Sequence, residues 1–127
     1  MQSTWHSPDG AYDLSVKRDR SYGSTAQAAS AGQLAWYRDI AESSMADLKV
    51  TTHTTRQNGR DAVWLEIEYH WAKQSEPRKR VEVFVAGESG YVYQLLVDTE
   101  ATSQRLAEQD RLFATARASL LIDIATT

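Results

Sequence analysis

An α+β domain, with a twisted antiparallel sheet of about five to six strands and two helices packed on it, is the fold class that three features of the chain predict. The first is the segment Arg60–Trp71, where Val63, Leu65, Ile67, Tyr69 and Trp71 alternate with Trp64, Glu66, Glu68 and His70. A period of two sustained this long marks an antiparallel strand with one face in a core and the other near water. The second is turn chemistry spaced to link such strands, at Asn58-Gly59 and Glu88-Ser89-Gly90. The third is a pair of segments whose apolar residues recur at helical spacing.

Taken in order, Ser7-Pro8-Asp9-Gly10 has Pro preset for the second turn position and Gly at the fourth. It joins a short strand near Thr4–His6 to one near Tyr12–Lys17, with Tyr12, Leu14 and Val16 on one face. From about Thr25 to Ser44, Leu34, Tyr37, Ile40 and Ala41 fall at helical spacing in an Ala-rich, proline-free stretch that Gly32 weakens locally. Four strands follow, near Leu48–Arg56, Asp61–Ala72, Arg78–Ala86 and Tyr91–Asp98. The tail, about Ala101–Ser119, puts Leu106, Phe113, Ala116 and Leu120 on one helical stripe. Leu120-Leu121-Ile122-Asp123-Ile124 either ends that helix or adds a short strand.

The turns register the four-strand meander. A two-residue type I′ turn at Asn58-Gly59 pairs Thr54 with Val63, Thr52 with Leu65, Val50 with Ile67 and Leu48 with Tyr69. A three-residue loop at Glu88-Ser89-Gly90 pairs Val85 with Tyr93, Val83 with Leu95 and Val81 with Val97. A loop over Lys73–Glu76 centred near Ser75 pairs Leu65 with Val85 and Ile67 with Val83. All three hairpins then share one apolar face, and a one-residue slip would expose it. The opposite face carries Thr51, Glu66, Phe84 and Gln94 in one row, then Lys49, Glu68, Glu82 and Leu96, then Asp47, His70, Arg80 and Asp98, with His53 beside Trp64.

Composition narrows the function classes. The 127 residues are one domain's worth, and 42% apolar with 24% charged residues is the balance of a soluble globular domain. A net charge of −3 and a pI near 5.6 argue against nucleic-acid binding, which needs a basic face to neutralise phosphates. Pro77-Arg78-Lys79-Arg80 is too short and isolated to supply one. The chain has no run of about 18 apolar residues, so this fragment is expected not to insert into a membrane. Met1-Gln2-Ser3-Thr4 does not read as a signal peptide. With no cysteine, disulfides, thiol catalysis and thiolate metal sites are excluded.

The sharpest chemical reading builds a site on Glu66, Glu68 and Glu82 with the nearby histidines. Two carboxylates at a spacing of two on one strand can share a proton or flank a substrate bond, one of them raised by an apolar neighbour such as Trp64 or Phe84. The competing reading is a solvated face of cross-strand ion pairs, with Lys49 on Glu68 and Arg80 on a neighbouring acid. His6, His53 and His70 lie on three strands without ligand spacing, and no calcium loop occurs, so neither metal nor cofactor is expected. No nucleophile elbow or Gly-rich phosphate loop is present either, and Tyr37-Arg38-Asp39-Ile40 lies within a helix where it does no kinase chemistry. Tyr69, Trp71, Tyr93 and Tyr12 are expected in the core. Trp64 and Phe84 stand on the polar face among Ala62, Ala86, Val92 and Leu96. Either a helix covers that end, the preferred expectation, or Trp64, Phe84, His53 and Glu66 form a surface for a partner.

Three segments resemble a known group: Asn58-Gly59-Arg60-Asp61-Ala62-Val63-Trp64-Leu65-Glu66-Ile67-Glu68-Tyr69, then Arg80-Val81-Glu82-Val83-Phe84-Val85, then Gly90-Tyr91-Val92-Tyr93-Gln94-Leu95-Leu96-Val97. Followed by the helix carrying Phe113, they resemble the extracytoplasmic C-terminal domains of actinobacterial serine/threonine protein kinases and related lipoproteins, similar in fold to PsbP and Mog1. The resemblance covers roughly Trp5 to Ile124 and rests on strand and turn patterning. It implies a PsbP/Mog1-like α/β/α sandwich with a non-enzymatic sensing role outside the membrane, binding a small ligand or a protein. It carries no catalytic residues over. Members of that group usually open with a further hairpin and a Gly-Trp before the segment that starts here at Thr4-Trp5-His6. The chain is therefore expected to be an excised fragment tethered to the membrane through a parent protein, with an unpaired edge strand open to self-association. The alternative is a small hydrolase or isomerase using Glu66 and Glu68.

Overall fold

The computed structural model describes residues 2–6, 12–19, 25–57, 60–87 and 91–126; of these, 2–6, 12–14, 16, 17, 19, 55–57 and 116–126 are described by backbone course alone. The turns expected at Ser7-Pro8-Asp9-Gly10, Asn58-Gly59 and Glu88-Ser89-Gly90 lie outside the described residues, as do the side chains of Tyr12, Leu14, Val16, Ala116 and Leu120. The chain is α+β. Strands β1 (Gln2–His6) and β2 (Tyr12–Asp19) precede helix α1 (Ala26–Asp39), and a 3-10 turn (Ala41–Ser43) leads into β3 (Met45–Gln57). Strands β4 (Arg60–Trp71), β5 (Arg78–Ala86) and β6 (Val92–Glu100) then run into helix α2 (Ser103–Thr126). The six strands form one antiparallel sheet in the order β1-β2-β6-β5-β4-β3, leaving β1 and β3 at its edges.

Local chemistry sets the helix ends. The Thr25 hydroxyl accepts from the Ala28 amide at 3.0 Å, capping α1. Ile40, expected inside the helix, is extended and 41% exposed, its amide still donating to the Trp36 carbonyl at 3.1 Å. Ser44 at φ 59° then turns the chain into β3. The Thr102 hydroxyl accepts from the Arg105 amide at 3.3 Å at the start of α2. That helix continues through residues 120–124, so no extra strand forms there.

Two of the three predicted registers hold. Between β3 and β4, Thr54 pairs with Val63, Thr52 with Leu65 and Val50 with Ile67. A bulge between Ala46 and Lys49, with Asp47 at φ 55°, displaces the last pair, so that Ala46 meets His70. Between β5 and β6, Val85 pairs with Tyr93, Val83 with Leu95 and Val81 with Val97. The β4–β5 register is the correction. Leu65 lies opposite Glu82 and Ile67 opposite Arg80, three positions from the expected pairing. The physical reason lies in the connection: β4 runs on to Trp71 beside β3, with the Ala72 amide donating to the Ser44 carbonyl at 2.6 Å, and Lys73 turns at φ 68°. The connection therefore does not fold as a symmetric loop about Ser75.

Because side chains alternate, an odd offset exchanges the faces of β5 relative to β4. Val63, Leu65, Ile67 and Tyr69 of β4 face α1, where they pack with Ala26, Ala29, Tyr37, Phe84 and Val92. Val81, Val83, Val85, Leu95 and Val97 face α2 and pack with Ala62 and Phe113. The sheet thus has a core on each side, not one shared apolar face. The Ala residues of α1 let it close on the β4 side, while Gln109 anchors α2 over β5 and β6 by donating to the carbonyls of Lys79 (2.9 Å) and Val97 (3.0 Å).

Each core should be separately indispensable. Ile67→Ala on the α1 side and Leu95→Ala on the α2 side are each expected to cost about 2–5 kcal/mol in chemical denaturation. A loss under about 1 kcal/mol at either position would mean that its face is not a core.

Candidate functional site

The two helices cover different halves of the sheet. On the α2 side, β5 and β6 are covered and the outer half on β3 and β4 is left open. Glu66 stands there with His53 and Lys79. His53 Nε2 lies 2.6 Å from Glu66 Oε2, and Lys79 Nζ donates to Glu66 Oε1 at 3.0 Å. Trp64 is half-buried between the His53 ring (centroids 4.2 Å apart, 27° between planes) and Phe113 of α2 (5.6 Å, 20°). Cavities of about 360 and 300 Å³ adjoin this cluster and share Lys49, Glu68 and Lys79 in their walls. At the far end, the His70 imidazole Nε2 bonds Asp47 Oδ2 at 2.6 Å, and this contact raises the His70 pKa above its ordinary value.

Three of the four expected surface residues therefore come together: His53, Trp64 and Glu66. The fourth does not. Phe84 is 1% exposed and lies on the opposite face in the α1 core, since the β5 face is exchanged. Glu82 leaves the expected carboxylate row for the same reason and is fully buried on the α1 side. Helix α2 covers Trp64 on one ring face, as the preferred expectation had it, through Phe113. Lys79 was missed, because the expected register placed it on the other face.

The electrostatics of Glu66 define what the cluster can do. Partial burial pushes its pKa up, but the hydrogen bonds from His53 and Lys79, with the Lys79 charge, outweigh this and hold it below the ordinary 4.5. Glu66 is ionised, so the His53 N–H donates to it. A carboxylate held down in this way accepts hydrogen bonds and does not deliver protons near neutrality, the opposite of a glycosidase acid. Among the described residues, no group of three or more His, Asp or Glu side chains is arranged to hold a metal ion.

A second polar assembly lies on the α1 side; the sequence had placed Arg80 and Asp98 in one row, but on a solvated face. Asp98, fully buried, accepts from Arg78 Nε at 2.8 Å, from Arg80 Nε at 2.9 Å and from the Tyr69 hydroxyl. Glu82 accepts from the Tyr37 hydroxyl at 2.5 and 2.9 Å and from Gln94 Nε2 at 3.0 Å. Burial, then the adjoining carboxylate charge, pushes both tyrosine pKa values well above the ordinary 10, so both phenols stay protonated and donate. Charged residues on a strand read as solvated, and only the register of β5 shows that these are enclosed.

No family model matches the chain, and no curated protein matches it. Among solved structures, the chain is similar to PA94 of Pseudomonas aeruginosa, described as a protein of unknown function and candidate regulator. The TM-score is 0.63 at 18% identity, over 92% of this chain and 79% of that one. At that identity the likeness concerns the fold: an α+β architecture with an antiparallel sheet.

Two outcomes check this geometry. Asp98→Ala leaves two buried guanidinium groups without their carboxylate and is expected to cost about 3–5 kcal/mol in chemical denaturation. A surface-like loss would mean that Asp98 is solvated. For Glu66, a depressed folded pKa gives stability that is present above the unfolded value of 4.5 and lost as pH falls through the folded value. The Tm difference between wild type and Glu66→Gln should therefore be present at pH 7 and shrink as the pH drops below about 4.5. A pH-independent difference would contradict the assignment.

Proposed function

We propose that the domain is a non-enzymatic binding module that recognises a small ligand or a partner protein through the open half of the α2 face. The observation that carries this reading is the uneven coverage of that face. Helix α2 stops over β5 and β6, leaving a mixed-charge groove in which Lys49, Glu66, Glu68 and Lys79 are displayed, with half-buried Trp64 stacked on the His53 ring that bonds Glu66. Charged groups around a partly exposed indole are the composition of a recognition surface. Glu66, held ionised by His53 and Lys79, is unsuited to the general-acid role in the hydrolase alternative, and its carboxylate oxygens are already engaged by those two partners.

The finer placement rests on resemblance. The strand and turn segments around Trp64, Phe84 and Tyr93 support a PsbP/Mog1-like α/β/α sandwich. They also support an extracytoplasmic sensor attached to a serine/threonine protein kinase or lipoprotein and tethered to the membrane through that parent. The description of PA94 as a candidate regulator agrees with a role outside catalysis. Self-association through an edge strand, β1 or β3, belongs to the same reading.

Site-specific photo-crosslinking in producing cells tests this. A crosslinker replacing Thr51, exposed in the groove, should give a discrete adduct, and one replacing Asp110, exposed on α2, should not. Equal labelling from both sites, or none from Thr51, would contradict the groove. In parallel, chromogenic esters and glycosides should show no turnover above buffer; turnover abolished by Glu66→Gln would establish the enzyme alternative instead.

A further inference from the structure

At one end of the groove, His70 bonds two groups that can only accept. Its Nε2 lies 2.6 Å from Asp47 Oδ2, and its Nδ1 lies 2.9 Å from the Trp71 carbonyl oxygen. A neutral imidazole has one N–H and one lone pair, so it serves only one such partner; the imidazolium alone serves both. The two partners belong to different parts of the groove's frame. Asp47 lines the 360 Å³ cavity from the β3 bulge, where its backbone stands at φ 55°. Trp71 ends β4 and leads into the connection whose Ser75 and Pro77 line the same cavity. The protonated ring therefore ties the edge strand to the β4–β5 connection.

We propose that His70 is a pH-operated clasp of the groove: protonated, it holds the Asp47 bulge against the end of β4, and neutral, it lets the bulge go. The inference rests on the groove reading and adds its regulation. An exposed ion pair by itself contributes little to stability; this one is set apart by the claim on both ring nitrogens. Loss of the proton turns one N–H into a lone pair facing an acceptor oxygen. The repulsion is relieved most readily at Asp47, whose side chain is 84% exposed and returns to water. The groove then loses one positive charge and a fixed carboxylate. The bond to Asp47, then that to the Trp71 carbonyl, raises the His70 pKa above its ordinary 6.5. The clasp is therefore complete below pH 6.5 and opens as pH rises through the folded value. Of the other charged groups at this cavity, Lys49 of β3 and Glu68 of β4 stand opposite each other, Lys79 of β5 is held by Glu66 and Arg78 by Asp98. Lys73 and Glu76 of the connection are exposed outside its lining, and α2 contributes apolar Leu106.

The test is an NMR titration of the full chain from about pH 5 to about pH 9, following the ring nitrogens of His70 together with the amides of Asp47 and of residues 71–75. The His70 midpoint should lie above 6.5, and those amides should shift with the same midpoint. Asp47→Asn keeps a residue that tolerates the left-handed backbone, removes the charge and should lower the midpoint. The chain has no cysteine, so a pH-insensitive fluorophore on Ser75→Cys reports the groove wall alone. Its anisotropy should fall through the His70 midpoint, and the fall should be lost in His70→Asn; the same fluorophore on Asp110→Cys, exposed on α2, should not respond. A midpoint at or below 6.5, a midpoint unchanged by Asp47→Asn, or a Ser75 response that persists in His70→Asn would each overturn the proposal. These readouts need no ligand. A missing Thr51 adduct removes the groove reading and leaves the titration as it is, whereas a flat Ser75 response removes the clasp and leaves the groove.

Discussion

The pairing of β4 with β5 places Leu65 opposite Glu82 and Ile67 opposite Arg80, and most of the molecule follows from this odd offset. Strand side chains alternate, so the apolar set of β4 and that of β5 point to opposite sides of the sheet. Each side then needs its own cover. Helix α1 supplies it over Val63, Leu65 and Ile67, and α2 over Val81, Val83 and Leu95. Neither helix is wide enough to cover a six-stranded sheet, so parts of both faces are left outside the two helix contacts. The groove at Lys49, Glu66 and Lys79 occupies one of these parts.

The same offset explains the buried charges. β5 is an inner strand, and its α1-facing residues Arg78, Arg80 and Glu82 cannot reach bulk water freely. Charges in that position persist only if they are paired and hydrogen-bonded. Asp98 and Gln94, carried on β6 in matching register, and Tyr37 and Tyr69 from the flanking elements supply the partners. Replacing such an assembly by apolar residues of equal volume is often neutral or stabilising.

Much of the architecture was legible in the chain. The Asn-Gly dipeptide before Arg60 and the Glu-Ser-Gly triplet before Tyr91 specify short connections, and the registers they imply for β3–β4 and β5–β6 are the ones observed. Residues 72–77 hold no comparable turn signal, and the alternating pattern of Val81, Val83 and Val85 is satisfied equally well on either face. The β4–β5 offset was therefore not legible in the chain; it goes with the turn at Lys73, directly after Trp71. The site divides along the same line. His53, Trp64 and Glu66 sit on strands whose mutual register was readable, and they cluster as expected. Lys79, Phe84 and Glu82 sit beyond the unreadable connection, and each lies on the face opposite to the expected one.

The most direct measurement is of cross-strand backbone NOEs between β4 and β5 in the isotopically labelled domain. Contacts linking Leu65 with Glu82 and Ile67 with Arg80 are expected from the offset, together with slow exchange for amides on both strands. Contacts linking Leu65 with Val85 and Ile67 with Val83 would contradict it, returning Glu82 and Arg80 to the groove face.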